Sequence, residues 1–212
     1  MNWTISPQTV FAASPIVPVM VIKRIEDAVP LAKALLNGGI SVFEITLRTD
    51  VALEAIREIS AALPDAMAGA GTVLTPNQYD AAVEVGAKFV ISPGASHRLL
   101  EYAAKQSVPL IPGVSTATEI MNAMDLGYDH LKFFPAEASG GAQALKAISA
   151  PLPQVSFCPT GGVNVSNLND YRALNCVKTV GGTWMIPDDA IESKDWGRIE
   201  DLTKTALLSI VK

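Results

Sequence analysis

Short apolar runs recur along the chain, and each is followed by a stretch in which apolar residues return every three or four positions. The runs begin near Ile16 (I-V-P-V-M-V-I), Val42 (V-F-E-I-T-L), Met67 (M-A-G-A-G-T-V) and Phe89 (F-V-I-S). Four more begin near Pro109 (P-L-I-P), His130 (H-L-K-F-F), Val155 (V-S-F-C-P-T) and Thr179 (T-V-G-G-T-W). The interval stays between 20 and 26 residues, which holds one strand, one helix and two turns. Continuous or alternating apolar runs predict strands, and the 3.6-residue recurrence predicts helices.

The helical segments carry their own punctuation. From Asp27 to Asn37, Ala28, Leu31, Ala32, Leu35 and Leu36 share a face, and Gly38-Gly39 follows as a helix terminator. Val51 to Leu63 repeats the pattern with Leu53, Ile56 and Ile59 and ends before Pro64. Thr75-Pro76 and Ser115-Thr116 are helix-start signals. From Asp195 onward, Ile199, Leu202, Ala206 and Ile210 form one stripe. Eight strand–helix beats, with no linker or low-complexity tract, predict a single (β/α)8 TIM barrel domain over residues 1–212. A doubly wound open sheet is the alternative, but it rarely runs to eight evenly spaced units in so short a chain. The segment before Ile16 predicts an extra N-terminal helix able to cap the barrel floor.

Composition narrows the class. Apolar residues are 49% and charged residues 17% of the chain, against about 25% charged in ordinary soluble domains. Disorder is excluded. A homo-oligomer would absorb the apolar surplus, as would a parallel sheet covered on both faces. The net charge of −5 and the lack of a Lys/Arg cluster argue against a nucleic-acid or anionic-membrane surface. Cys158 and Cys176 form neither a C-x-x-C motif nor a disulfide framework, and read as reduced thiols. The run Ile16 to Ile22 is short and lacks a preceding basic region, so a signal peptide is not expected. No run approaches the roughly 20 apolar residues of a membrane span. A cytoplasmic protein is the expectation.

In a barrel of this kind the chemistry belongs at the C-terminal ends of the strands. In the second strand Phe43, Ile45 and Leu47 alternate with Glu44, Thr46 and Arg48, so one face is polar. With the apolar face on the helices, Glu44 and Arg48 point into the barrel; a solvent-facing edge strand would show the same alternation. The sixth strand places Lys132 between Leu131 and Phe133. Lysine is seldom buried without a partner or a task, and apolar surroundings disfavour its ammonium form, which would supply a nucleophilic amine. An exposed Lys132 is the plainer alternative, and Lys23, at the end of the first strand, is its rival. Pro159-Thr160-Gly161-Gly162 and Gly181-Gly182-Thr183 end the seventh and eighth strands, where phosphate sites of this fold gather. Gly69 to Thr72 would let a ligand lie close, or else form a tightly packed layer. His97 and His130, the only histidines, lack a carboxylate or thiol at ligand spacing, and no metal is expected.

Taken in order, E-I-T-L-R-T (Glu44 to Thr49), G-A-G-T-V-L (Gly69 to Leu74), I-S-P-G, I-P-G-V-S-T, K-F-F-P-A-E-A (Lys132 to Ala138) and P-T-G-G resemble the 2-keto-3-deoxy-6-phosphogluconate (KDPG) and 4-hydroxy-2-oxoglutarate (KHG) aldolases. These are class I enzymes of the Entner–Doudoroff pathway, and the likeness runs from about Pro15 to Trp184. The resemblance implies Lys132 as the Schiff-base lysine and Glu44 as the general acid/base. It implies Arg48 and Thr72 as holders of the pyruvyl carboxylate, Pro93 and Phe134 as walls, and Thr160 as a lining residue. Gly161, Gly162, Gly182 and Thr183 would receive the 6-phosphate, Thr183 standing where many relatives have Ser. It also implies a phosphorylated keto-acid substrate, no cofactor and a homotrimer. An aldolase for the galactonate epimer, a phosphosugar isomerase or epimerase, and a phosphosugar-binding barrel without catalysis are the rivals. Glu137 reads either as a support of the site or as a first-turn helix carboxylate.

Overall fold

Parallel pairing dominates the computed structural model, which describes residues 1–94 and 96–210. Ala95, which follows the I-S-P-G motif, and the last two residues lie outside the described residues. The strands are β1 (Ile16–Met20), β2 (Val42–Thr46), β3 (Met67–Gly71), β4 (Val90–Ile91), β5 (Leu110–Ile111), β6 (Gly113–Val114), β7 (His130–Phe133), β8 (Ser156–Pro159) and β9 (Val180–Gly182). Around them run α1 (Pro7–Ala13), α2 (Ala28–Asn37), α3 (Ala52–Ala62), α4 (Pro76–Glu84), α5 (His97–Ala103), α6 (Ala117–Asp125), α7 (Gly141–Ser149), α8 (Leu168–Arg172), α9 (Asp188–Glu192) and α10 (Trp196–Leu208).

One sheet has the order β5-β4-β3-β2-β1-β9, and a second has the order β6-β7-β8. The fold is therefore a parallel α/β half-barrel beside a three-stranded sheet. The closed eight-stranded barrel expected from the sequence is not what the ladders show. Two local causes are visible. Pro112 separates β5 from β6 and has no N–H to give to a ladder. Between β8 and the chain at β9 only isolated bridges form, Phe157 with Val177 and Thr160 with Gly181.

Every residue of β1 and β2 is buried, as expected of strands covered on both faces. The helix signals act where the sequence places them. Thr75 caps α4 with Pro76 in its first turn, and Thr116 and Glu119 form a capping box on α6. Gly39, with φ at 102°, turns the chain out of α2. The N-terminal helix is present: Val10 and Phe11 of α1 are buried, and the Phe11 ring meets His130, the first residue of β7, edge-on at 5.2 Å. It thus packs at the end of the sheet opposite the C-terminal strand ends. No helix among the described residues is long and apolar enough to cross a membrane.

Candidate active site

Lys132 and Glu44 meet inside the molecule. They come from β7 and β2, 88 positions apart in the chain, and both are buried, at 5% and 2% exposure. The Lys132 ammonium donates to Glu44 Oε1 at 2.9 Å and to Oε2 at 3.1 Å. Its Nζ also lies 5.3 Å from the centre of the Phe134 ring. The surroundings of Lys132 are therefore not wholly apolar, as its sequence neighbours suggested; a carboxylate is its closest partner. Removing either member would strand a buried charge, a change that typically costs about 3–5 kcal/mol.

Cys158 pairs with Lys132 in the register of β7 and β8. Burial pushes its thiol up to about 12, an effect that the Lys132 charge and the Thr160 hydroxyl only partly oppose. It lines the pair as a neutral group, and its place opposite Lys132 escaped the sequence because no motif marks cross-strand register. Of the two readings of Gly69 to Thr72, tight packing rather than room for a ligand holds at Gly71. A carbon added at its Cα would stand 2.3 Å from Glu44 Oε1 and 2.6 Å from Glu44 Cγ. The Glu44 side chain itself occupies that space.

The remaining candidates ring the C-terminal strand ends. β2 pairs with β3 up to Thr46 and Gly71, and Leu47 N–H donates to the Gly71 carbonyl at 2.8 Å. Arg48 and Thr72 follow these two paired ends. Arg48 does not continue the inward alternation: its N–H turns back to the Thr46 carbonyl at 2.8 Å, and the residue is exposed in the loop. Thr72 is half-buried with φ at 60°, a conformation that non-glycine residues seldom adopt and that often marks functional sites. Pro93 follows β4 and Phe134 follows β7, both half-buried. Thr160 is buried and reaches Gly181 so closely that a side-chain carbon on that glycine would stand 2.2 Å from its Oγ1.

Two glycine pairs differ in kind. Gly161 and Gly162, after β8, have φ of 100° and 82°, which a residue with a side chain would resist. Gly181 and Gly182 lie within β9 rather than in the loop after it, and packing dictates them: the first faces Thr160 and the second the Trp184 ring. Thr183, the next residue, is exposed. Lys23 is exposed on the rim and pairs with Asp188 at 3.4 Å, outside the buried pair. Contrary to the sequence reading, His97 does have a carboxylate at helical spacing: it pairs with Glu101 one turn away, and His130 pairs with Asp129. Among the described residues no group of three or more His, Cys, Asp or Glu is placed to hold a metal.

A family model described as "Aldolase: KDPG and KHG aldolase" matches residues 8–202. A 2-dehydro-3-deoxy-phosphogluconate aldolase from Pseudoalteromonas atlantica is 51% identical over 97% of this chain and 96% of its own. A KHG/KDPG aldolase from Escherichia coli is 50% identical over 97% of each chain. Among solved structures, KDPG aldolase from Legionella pneumophila superposes with a TM-score of 0.95 at 50% identity, covering 97% of this chain and 100% of that one. That crystal holds pyruvate captured at low pH as a covalent carbinolamine intermediate.

Proposed function

The chain belongs to the KDPG and KHG aldolase family, and we propose that it is a class I aldolase with Lys132 as its imine-forming residue. Its principal reaction splits 2-dehydro-3-deoxy-6-phospho-D-gluconate into pyruvate and D-glyceraldehyde 3-phosphate. A second splits 4-hydroxy-2-oxoglutarate into pyruvate and glyoxylate. The observation that carries this reading is the buried Lys132 amine held 2.9 Å from a buried carboxylate. The carbinolamine trapped in the Legionella relative supports it.

In this mechanism Glu44 takes a proton from the Lys132 ammonium, and the freed amine attacks the C2 ketone. Glu44 returns that proton to the carbinolamine hydroxyl, which leaves as water, and the protonated imine so formed draws in the electrons of the C3–C4 bond. Glu44, through a water, accepts the C4 hydroxyl proton as the aldehyde departs. The resulting enamine is protonated at C3, and hydrolysis of the imine releases pyruvate and the amine. Arg48 and Thr72 hold the carboxylate, while Pro93, Phe134 and Thr160 line the pocket. Gly161, Gly162, Gly182 and Thr183 receive the phosphate. No cofactor enters this scheme.

The architecture in this reading is a closed (β/α)8 barrel. β5 and β6 act as one stave broken at Pro112, and the bridges at Phe157 and Thr160 close the ring toward β9. A cytoplasmic homotrimer fits the low charged share, and light scattering would test the assembly by returning three times the chain mass.

Borohydride reduction with pyruvate, followed by intact mass and peptide mapping, tests the chemistry. The expected result is one pyruvyl adduct on Lys132. An adduct on Lys23 would move the centre to the rim, and no adduct on folded protein would sink the imine mechanism.

A further inference from the structure

Beyond β7 the chain turns through residues 134–140 before α7 begins, so Glu137 does not belong to the first turn of that helix. Three separate contacts tie Glu137 to the glycine loop after β8. Its N–H donates to the Gly161 carbonyl at 3.0 Å, beside the Ala136 N–H bonded to the Thr160 carbonyl at 2.8 Å. Its Cβ and Cγ stand against Gly162, where an added side-chain carbon would lie 2.7 and 2.6 Å from them. Its Oε1 accepts the hydroxyl of Tyr171, a fully buried residue of α8. On its other flank the loop is held by Asn164 and Asn167, whose side-chain amides donate to the Gly162 carbonyl at 3.0 and 3.1 Å. The N–H groups of Gly161 and Gly162 donate to no other described residue.

A carboxylate beside an anion-binding loop opposes the ligand by charge. No ion pair among the described residues involves Glu137, so attraction through a shared cation does not explain its presence. Its contacts are mechanical, a strut from the Lys132-bearing segment to the loop and on to α8. Burial, and then the Glu137 carboxylate, hold the Tyr171 phenol above its ordinary range, so the strut keeps its proton across the working pH range.

We propose that Glu137 and Tyr171 are positioning residues that fix the Gly161-Gly162 loop at a set distance from Lys132, and thereby set the preference for phosphorylated over unphosphorylated keto-acids. The proposal rests on the assignment of that loop to the phosphate. A substrate anchored at both ends depends on the spacing between the anchors, and binding energy from the remote end is used at the reacting centre. A substrate without phosphate is held by Lys132 and by the carboxylate contacts of Arg48 and Thr72, and does not depend on the distance to the loop.

The test compares kcat and KM of the wild type, Glu137→Gln, Glu137→Ala and Tyr171→Phe on the phosphorylated substrate and on 4-hydroxy-2-oxoglutarate. Glu137→Ala should lower kcat/KM for the phosphorylated substrate about tenfold, the worth of one lost hydrogen-bonded contact, with the other substrate changed less than about twofold. Glu137→Gln keeps the Cβ and Cγ contacts and a carbonyl to accept the Tyr171 hydroxyl, so it should restore most of the loss. Tyr171→Phe keeps the buried ring and should fall between them, which preserves the test if the alanine variant misfolds. Equal losses on both substrates, or no loss on either, would overturn the proposal. A wild type inactive on both would overturn the aldolase reading and this proposal with it, and the wild-type control separates that failure from the others.

Discussion

Gly71→Ala would move the Glu44 carboxylate without altering its chemistry. Gly71 lies in β3 and is not among the positive-φ glycines, so alanine meets no backbone strain there. The methyl group would arrive 2.3 Å from Glu44 Oε1 and 2.8 Å from Glu44 Cδ. Non-bonded heavy atoms settle at roughly 3.5 Å or more, so the carboxylate must retreat by about 1.2 Å. Its bonds to Lys132 are 2.9 and 3.1 Å long and would not survive that displacement as hydrogen bonds. A misplacement of about 1 Å can cost ~10²-fold in rate. Turnover, followed as pyruvate by a lactate dehydrogenase couple, should therefore fall about a hundredfold. Borohydride trapping on Lys132 should persist, because the amine remains. Glu44→Gln, which keeps the position and removes the base, should lose about 10²–10⁴-fold. If Gly71→Ala folds and turns over within about threefold of the wild type, far short of the ~10² expected, the placement of Glu44 is not what limits the reaction.

Four further outcomes follow from the same geometry. With its thiol pushed up to about 12 by burial, Cys158 should not react with a disulfide reagent at pH 8, whereas half-buried Cys176 should; two equally fast thiols in native protein would contradict the buried placement. Thr116→Ala should cost about 1 kcal/mol in urea unfolding through loss of the α6 cap. Burial works to raise the Glu119 carboxyl, but hydrogen bonds from Ser115 and Thr116 outweigh it and hold the group below its ordinary range. Its stabilisation is therefore present above the unfolded value of about 4.3 and lost as pH falls through the lower folded value. The stability gap between wild type and Glu119→Gln should shrink accordingly below about pH 4, and a gap independent of pH would refute this. Thr72→Gly should relieve the left-handed backbone, raising stability by about 0.5 kcal/mol after the entropy cost of glycine, while weakening substrate binding through loss of the hydroxyl; a drop in melting temperature would argue against strain at Thr72.

The strands were legible because their apolar runs are short and evenly spaced, and all eight predicted runs contain observed strand. The split of the fifth run at Pro112 was not foreseen, because a proline at the end of an apolar run does not show whether pairing resumes beyond it, as it does at Gly113–Val114. Lys132 and Glu44 could be found from polar residues standing against expectation in apolar strands. Arg48 shows where that logic ends: alternation holds only while the chain stays extended, and the turn after Thr46 releases Arg48 to the surface. Glu137 was ambiguous because its partners, Tyr171 and the Gly162 carbon, are 34 and 25 positions away in the chain. Cross-strand neighbours such as Cys158 depend on register, which an uninterrupted apolar run does not disclose.

The glycines mark where bulk sits on the neighbouring element. Gly69 leaves room for the Phe89 ring, Gly71 for the Glu44 carboxylate, Gly181 for Thr160 and Gly182 for Trp184. The Phe89, Glu44 and Thr160 side chains are thus each matched by an absent side chain on a neighbouring strand, and Trp184 folds back over a glycine of its own segment. This is how close packing can accept a charged pair where interior layers are normally filled with branched apolar residues. Glu44 and Lys132 need space to meet and walls to stay met, and alternating glycine and alanine in β3 supply both. In the proposed mechanism Gly71 therefore serves to position Glu44 without touching substrate. A larger residue at Gly71 should behave as a lesion of Glu44, while one at Gly69 should act first on Phe89 and on stability.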